Sequence, residues 1–235
     1  MSDIHADIPP LEFDIDIEKW QQPSNSGPPR LQTVAKEEEI RQQVTDMLAA
    51  KIIRPSQQPY YSQVHLTPKP DGKWRFCIDF RSFNLCVNAM GWPLPNIQHM
   101  LHRIGSKKTR VYGKFDMTKG YYQILIAEIV RKYTAFITFM GVFEWMRVPM
   151  GLKCAASYFQ AQIAMVVLAG LVYIVCEVYV DDILVHATSD EEFIISLKLI
   201  FERFRKYKLT INPDKTALGM SETEFVGHQI DDTGI

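Results

Sequence analysis

Residues 178–185 read VYVDDILV, two adjacent aspartates inside an apolar, β-branched run. Like charges side by side repel, and each carboxylate withdrawn from water needs a partner. Side chains alternate along a strand, so neighbours share one site only near a turn. The pattern therefore predicts a hairpin carrying Asp181 and Asp182 at its tip. A third carboxylate, Asp116, ends another short strand-like run, VYGKFD at 111–116. Carboxylates on rigid strands, with no His or Cys nearby, suit hard oxygen-seeking cations such as Mg²⁺. Two such ions about 3.5–4 Å apart are the usual apparatus for in-line displacement at phosphorus. The plainer alternative is a surface turn that happens to be Asp-Asp, and the dipeptide alone does not separate the two.

The surrounding sequence supplies elements to hold these groups. AKEEEIRQQVTDMLAAK at 35–51 predicts a helix, with Ile40, Val44, Met47 and Leu48 as its apolar stripe and acids in its first turn. SQVHLTPKPDGKWRFCIDF reads as a hairpin around Asp71-Gly72, a tight-turn dipeptide. Strands are predicted at 132–138 and 141–148, joined at Gly141, and a helix over roughly 154–169. The clearest helix covers 190–207: Ser189 and Glu192 form a capping box, Phe193, Leu197, Phe201 and Phe204 share a face, and basic residues end it. NPDK then leads to a final strand pair ending FVGHQI. Strands and helices mix without a regular βαβ rhythm, so the expected class is α+β. Residues 1–30, acidic and Pro-rich, are expected to be a flexible leader without a fold of its own.

The 235 residues, 47% hydrophobic, suffice for one large domain or two subdomains with a core. Four cysteines (Cys77, Cys86, Cys154, Cys176) lie far apart without a CxxC pair, which argues against a zinc site or a disulfide framework and suits a reducing compartment. The longest apolar run, Ile163 to Cys176, falls short of the roughly 18 residues a membrane span needs. A soluble, cytoplasmic protein with no membrane partner is the expectation. The net charge of −1 hides a strong asymmetry. Residues 51–153 hold 16 Lys/Arg against 5 Asp/Glu, a net of +11, between two flanks of −6 each. That central third could build a positive surface for phosphates, or simply a solvated basic face.

Six segments in order, KWRFCIDFRSFN, FDMTKGYYQI, FITFMGVFEWMRVPMGLKCAASYFQ, VYVDDILV, INPDKTALG and EFVGHQI, resemble the motif series of reverse transcriptases. The pattern is most similar to the gypsy-type LTR retrotransposons and their retroviral relatives, and it covers the chain from about residue 31 onward. The resemblance implies the fingers (about 31–88 and 124–154) and palm (about 89–123 and 155–235) of a right-handed polymerase. It further implies RNA-directed DNA synthesis from dNTPs on an RNA or DNA template-primer.

Carried over by position, the resemblance gives each residue a role. Asp116, Asp181 and Asp182 match the catalytic aspartates, with Met117 offering a backbone carbonyl, and together they would hold two Mg²⁺ ions, Mn²⁺ being a substitute. Tyr121 matches the aromatic gate against a 2′-hydroxyl. Arg75, assisted by Lys69, matches the clamp on the triphosphate, which suits a planar guanidinium fork. Met150 occupies a slot near the nucleotide, and Tyr179 would approach the primer end. Phe225, Val226, Gly227 and His228 match the hairpin that grips the primer, and Lys215 a lysine proposed to protonate the leaving group. Arg103, Lys107, Lys108, Arg110 and Lys114 are expected to meet template or primer phosphates. Asp79 and Arg81 read equally well as a structural ion pair.

KCAASYFQ departs from the gypsy pattern, with Cys154 and Ala156 in place of its common Asn and Pro, and LAGLVYIVCE is unusually apolar for a link between helix and strand. In the family a thumb, a connection and RNase H follow the primer grip. Residue 235 falls near the palm–thumb boundary, so the expectation is a chain whose thumb and RNase H come from a longer polyprotein, inside retroelement particles. Two other readings stay open: an inactive remnant that only binds nucleic acid or a partner, and another palm nucleotidyltransferase such as an RNA-dependent RNA polymerase. Tyr121 argues against the latter, since an enzyme using rNTPs needs a small or polar group at the gate.

Overall fold

The computed structural model describes residues 5–70, 72–88, 91–117 and 119–231. In chain order its regular elements begin with α1 (Ile17–Trp20), α2 (Val34–Ala49), β1 (Ile53–Pro55), β2 (Ser62–Pro68), β3 (Trp74–Asp79) and α3 (Arg81–Cys86). They continue with α4 (Ile97–Ser106), β4 (Val111–Asp116), α5 (Glu128–Arg131), β5 (Phe136–Thr138), β6 (Gly141–Trp145) and α6 (Ala155–Gln162). The last are β7 (Cys176–Tyr179), β8 (Asp182–Ala187), α7 (Asp190–Lys206), β9 (Ala217–Met220), β10 (Thr223–Phe225) and β11 (His228–Ile230). This is the α+β class. Two units form, each from separate stretches of the described chain: residues 9–88 with 121–155 and residue 5, and residues 91–120 with 156–231 and residues 6–8.

The first unit is built on a five-stranded sheet in the order β1-β6-β5-β2-β3. Only β2 and β5 run parallel; the other neighbours are antiparallel. The β2–β3 hairpin pairs from Gln63 with Asp79 to Pro68 with Trp74. Its turn closes where the Lys69 N–H donates to the Lys73 carbonyl at 2.7 Å and the Gly72 N–H to the Lys69 carbonyl at 3.1 Å. Gly72 takes a φ of +77°, a conformation glycine adopts at no steric cost; Asp71 lies outside the described residues. Asp79, the last residue of β3, accepts from both Arg30 and Arg81 at 2.7 Å. The Arg81 hydrogen bonds hold its carboxyl well below the usual carboxylate range.

The flexible leader expected for residues 1–30 is not what residues 5–30 show. LEFDIDI alternates apolar and acidic residues, a strand-like period. Leu11 bridges to Ile126 in parallel and Ile15 to Val87 in antiparallel. Leu11 and Trp20 are buried, and Trp20 and Phe13 meet Phe83 edge-on at 5.2 and 5.5 Å. The acidic, Pro-rich composition concealed a period that burial of these rings rewards. The predicted strand at 132–138 is likewise shorter, because residues 128–134 wind into helical turns and only β5 extends. Thr134, buried there, accepts from the Trp145 N–H, and Arg131 pairs with Glu128 one turn earlier.

The second unit centres on a four-stranded antiparallel sheet, β7-β8-β4-β9, with β10 and β11 forming a separate two-stranded ribbon. Residues along β4 alternate between two environments. Gly113 and Phe115 face α7: Phe115 meets Phe201 and Phe204 edge-on, and a Cβ on Gly113 would lie 2.9 Å from Phe193 and 3.0 Å from Leu218. Tyr112, Lys114 and Asp116 take the opposite face. Ser189 caps α7 by accepting from the Glu192 N–H, while the Glu192 carboxylate turns to the Thr188 N–H and hydroxyl instead of closing the reciprocal box. The helix expected over 154–169 runs as α6 and then changes to a π-helical stretch, Ile163–Val167.

Arg103 and Lys107, both expected at phosphates, are engaged inside this unit. Arg103 forks onto the fully buried Glu177 at 2.8 and 2.8 Å and stacks over the Tyr173 ring at 4.4 Å. Lys107 donates to the carbonyls of Tyr173 and Ile174. Both cations thus tie α4 to β7 and to the apolar link before it, where Tyr173 takes φ +70°. Among the described residues no helix is long and apolar enough to cross a membrane.

Candidate active site

The two antiparallel pairings of β8 bring the aspartates together. Asp116, the last residue of β4, lies opposite Asp182, the first of β8. On the other side Tyr179 pairs with Asp182, leaving Val180 and Asp181 as a two-residue hairpin loop. Residues directly opposite on an antiparallel pair have Cβ atoms about 4.5–5.5 Å apart, so Asp116 and Asp182 face one site and Asp181 adjoins it at the turn. Partial desolvation first, and then the charges of Asp182 and Asp116, raise the Asp181 carboxyl above its ordinary value.

Two ammonium groups offset that negative charge. Lys114 Nζ lies 3.4 Å from Asp182 Oδ1, and Lys215 Nζ lies 3.8 Å from Asp116 Oδ2. Lys215 is carried by the 3₁₀ turn Pro213–Lys215, which Asn212 caps by accepting from the Asp214 N–H. The Asn212 N–H donates to the Asp116 carbonyl at 2.8 Å, and Met117 bridges to Ile211, so the NPDK turn is stitched to the end of β4.

The hairpin tip itself is held by a residue the sequence reasoning missed. Val180 has a φ of +55°, unfavourable for a β-branched residue and usually reserved for glycine in two-residue loops. Gln160 on α6, 1% exposed, accepts from the Val180 N–H at 2.6 Å and donates to the Val178 carbonyl at 3.0 Å. One buried amide therefore fixes the backbone on which Asp181 stands. Its only sequence signal was its place in KCAASYFQ, since its partners are main-chain groups without a residue type to match.

The β10–β11 ribbon carries the expected primer-grip residues. Phe225 is fully buried with Met100, Leu101, Ile104, Tyr112, Leu184 and Ile230, and Tyr179 and Val226 pack against that cluster. Val226 and Gly227 take φ of +50° and +78°, a turn with positive φ at both central positions that matches the twist of a hairpin. His228 pairs with Phe225 and is half-buried. The remaining candidates belong to the first unit. Arg75 is exposed on β3 opposite Thr67, Lys69 opens the β2–β3 turn, Tyr121 sits half-buried in the 3₁₀ turn Gly120–Gln123, and Met150 is 60% exposed. Tyr122, next to the gate candidate, is half-buried: it stacks on Trp145 at 5.7 Å, and burial pushes its hydroxyl up to about 12.

Residues 67–230 match the family model described as reverse transcriptase (RNA-dependent DNA polymerase). The chain belongs to the reverse transcriptase family. It is 33% identical over 204 residues to the retrovirus-related Pol polyprotein of transposon 412 from Drosophila melanogaster, covering 84% of this chain and 16% of that protein. It is 30% identical over 199 residues to the enzymatic polyprotein of cauliflower mosaic virus, covering 83% of this chain and 29% of that one. The foamy viral protease-reverse transcriptase, solved in complex with an RNA/DNA hybrid, shares the fold with a TM-score of 0.84 at 22% identity, over 98% of this chain and 30% of that chain. The chain therefore spans less than a third of the length of each of these three proteins.

Reverse transcriptases generally use divalent metal ions. Among the described residues no three carboxylate, imidazole or thiolate groups already converge as a ligand cluster. The donor set nevertheless fits such ions: hard carboxylate oxygens on adjacent strands, a raised Asp181 carboxyl, and two lysines drawn onto Asp182 and Asp116 as counter-charges. Asp116, Asp181 and Asp182 are the groups that would hold the ions, and the ammonium groups mark where positive charge is favourable.

Proposed function

We propose that this chain is the fingers and palm portion of an RNA-directed DNA polymerase that adds dNMP units to a primer 3′-hydroxyl on an RNA or DNA template. Residues of about 31–88 and 124–154 are assigned to the fingers, and about 89–123 and 155–235 to the palm. The observation that carries the reading is the cross-strand pairing of Asp116 with Asp182 beside a hairpin tip bearing Asp181. Two Mg²⁺ ions, with Mn²⁺ as a substitute, would supply a lowered pKa at the primer hydroxyl and neutralisation of the departing pyrophosphate when bound.

The protein's own residues do the rest. The three carboxylates hold the cations, with the Met117 carbonyl as a further oxygen donor. Arg75 forks onto the triphosphate of the incoming nucleotide, and Lys69 adds charge beside it. The Tyr121 ring lies under the sugar and rejects a 2′-hydroxyl, while Met150 packs near the nucleotide. Phe225, Val226, Gly227 and His228 hold the primer strand, with Tyr179 near its end. Lys215 is the proposed proton donor to the leaving pyrophosphate, a role supported by its Nζ lying 3.8 Å from Asp116 Oδ2. Complexes of foamy viral relatives with RNA/DNA hybrid and with double-stranded DNA support a template-primer as the partner. The setting that goes with this reading is cytoplasmic, within retroelement particles, with thumb and RNase H contributed by a longer polyprotein.

Primer extension on an RNA template with Mg²⁺ tests the reading, comparing dNTPs with rNTPs and wild type with Asp181→Asn. Extension with dNTPs by wild type alone is expected. No extension by wild type, with template-primer binding intact, would leave a nucleic-acid-binding protein instead, and equal use of rNTPs would remove Tyr121 from the gate.

A further inference from the structure

Among the described residues the β10–β11 ribbon shares no strand ladder with the four-stranded sheet that carries the aspartates. Its apolar attachment is the cluster around Phe225 and Ile230. Two polar tethers accompany that cluster, and both start from the same face of β4. At one end the Tyr112 hydroxyl, 2.8 Å from the Thr109 hydroxyl and 3.2 Å from the Thr109 carbonyl, also reaches the Asp231 carbonyl at 3.3 Å, just past β11. At the other, Lys114 Nζ donates to the Glu224 carbonyl in β10 at 3.3 Å while lying 3.4 Å from Asp182 Oδ1. Successive same-face residues of β4 thus serve the far end of the ribbon (Tyr112), its near end (Lys114) and the reaction (Asp116). A half-buried lysine shared between a carbonyl of the ribbon and a carboxylate of the metal-binding set fixes the distance between the two.

We propose that Lys114 is a positioning residue, setting the primer-holding ribbon against the catalytic carboxylates instead of binding nucleic-acid phosphate itself. The proposal rests on the reading above of the ribbon as the primer grip. Misplacement of a reacting group by about 1 Å can cost about a hundredfold in rate. Lys114→Met, which keeps the apolar stem and removes the ammonium, is therefore expected to lower the rate of primer extension between about ten- and a hundredfold. Template-primer Kd and its salt dependence should stay at wild-type values. Hydrogen exchange of the amides of residues 223–231, measured without metal or nucleic acid, should quicken. Lys114→Arg should restore both rate and protection. Tyr112→Phe, losing one oxygen, should quicken exchange at the Asp231 end alone and serves if Lys114→Met folds poorly.

A weaker Kd with a salt slope reduced by about one would instead make Lys114 a phosphate contact, overturning the proposal. Unchanged exchange in the ribbon with a lost rate would overturn it as well. If wild type extends no primer, the polymerase reading fails, and the exchange experiment still reports separately whether the tether exists.

Discussion

The Gln160 clamp allows a quantitative test of how the hairpin tip is built. Gln160→Ala removes an acceptor from the Val180 N–H and a donor from the Val178 carbonyl in a place where the amide is 1% exposed. Each buried backbone group left without a partner costs about 1–3 kcal/mol, so about 2–6 kcal/mol is expected for the pair. That is a large share of a typical folding stability of about 5–15 kcal/mol. Part of what the clamp does is hold Val180 at φ +55°, where an L-residue with a Cβ is strained by about 1–2 kcal/mol. Val180→Gly removes that strain but adds freedom to the unfolded chain, and the two offset to within about 1 kcal/mol. In the Val180→Gly background the loop can relax without the clamp, so Gln160→Ala should cost at least about 1 kcal/mol less than in wild type, within the range of coupling seen for contacting residues. Urea unfolding of the four proteins, followed by far-ultraviolet circular dichroism with the m-values compared, closes the cycle. Additivity within about 0.5 kcal/mol would refute the idea that the amide and the strained backbone form one unit.

Other perturbations follow from the same structure. His186 is 2% exposed with both ring nitrogens lacking a hydrogen-bond partner, and burial, helped by Lys107, depresses it to about 4. The unfolded chain takes up its proton near 6.5, so this stability is whole above about pH 6.5 and declines as pH falls towards 4, by about 3 kcal/mol in all; His186→Leu should flatten that part of the pH–stability curve, and an unchanged slope would refute it. Arg103→Ala should cost about 3–5 kcal/mol by stranding Glu177, yet leave template-primer affinity and its salt slope alone, whereas a loss of affinity would return Arg103 to the phosphate contacts. Gly113→Ala should cost about 1–3 kcal/mol in chemical denaturation, because its methyl meets Phe193 and Leu218 between β4 and α7, and a neutral effect would show that those side chains yield freely.

What could be read from the sequence was whatever the chain states locally. VYVDDILV announced a hairpin because adjacent charges break the strand alternation, and the pairing of Asp182 with Asp116 puts both carboxylates on one site. Helix α7 declared itself through Ser189 and its apolar period, although the burial falls on Phe193, Ser196, Ile200 and Phe204 and leaves Phe201 on the rim. What escaped was long-range. Arg103 and Lys107 looked like phosphate contacts because their partners, Glu177 and two carbonyls, lie 66–74 residues away. Gln160 binds only main chain, and main chain has no letter in a sequence. LEFDIDI, by contrast, did show its period; acids and prolines around it outweighed a signal that the burial of Leu11 confirms.

The interleaving of the two units has a consequence for synthesis. In the first unit β1, at Ile53–Pro55, has only one strand neighbour, β6, at Gly141–Trp145. A ribosome adding about 5–20 residues per second needs roughly 4–18 s to cover that interval. During it β1 has no ladder to join, and the emerging chain of the second unit, through β4, must pass by an incomplete sheet. Among the strands of this sheet, the β2–β3 hairpin is local enough in sequence to form at once. A nascent chain of this design exposes strand edges for seconds, so its yield in cells depends on chaperone capacity and translation speed more than the stability of the finished fold would suggest.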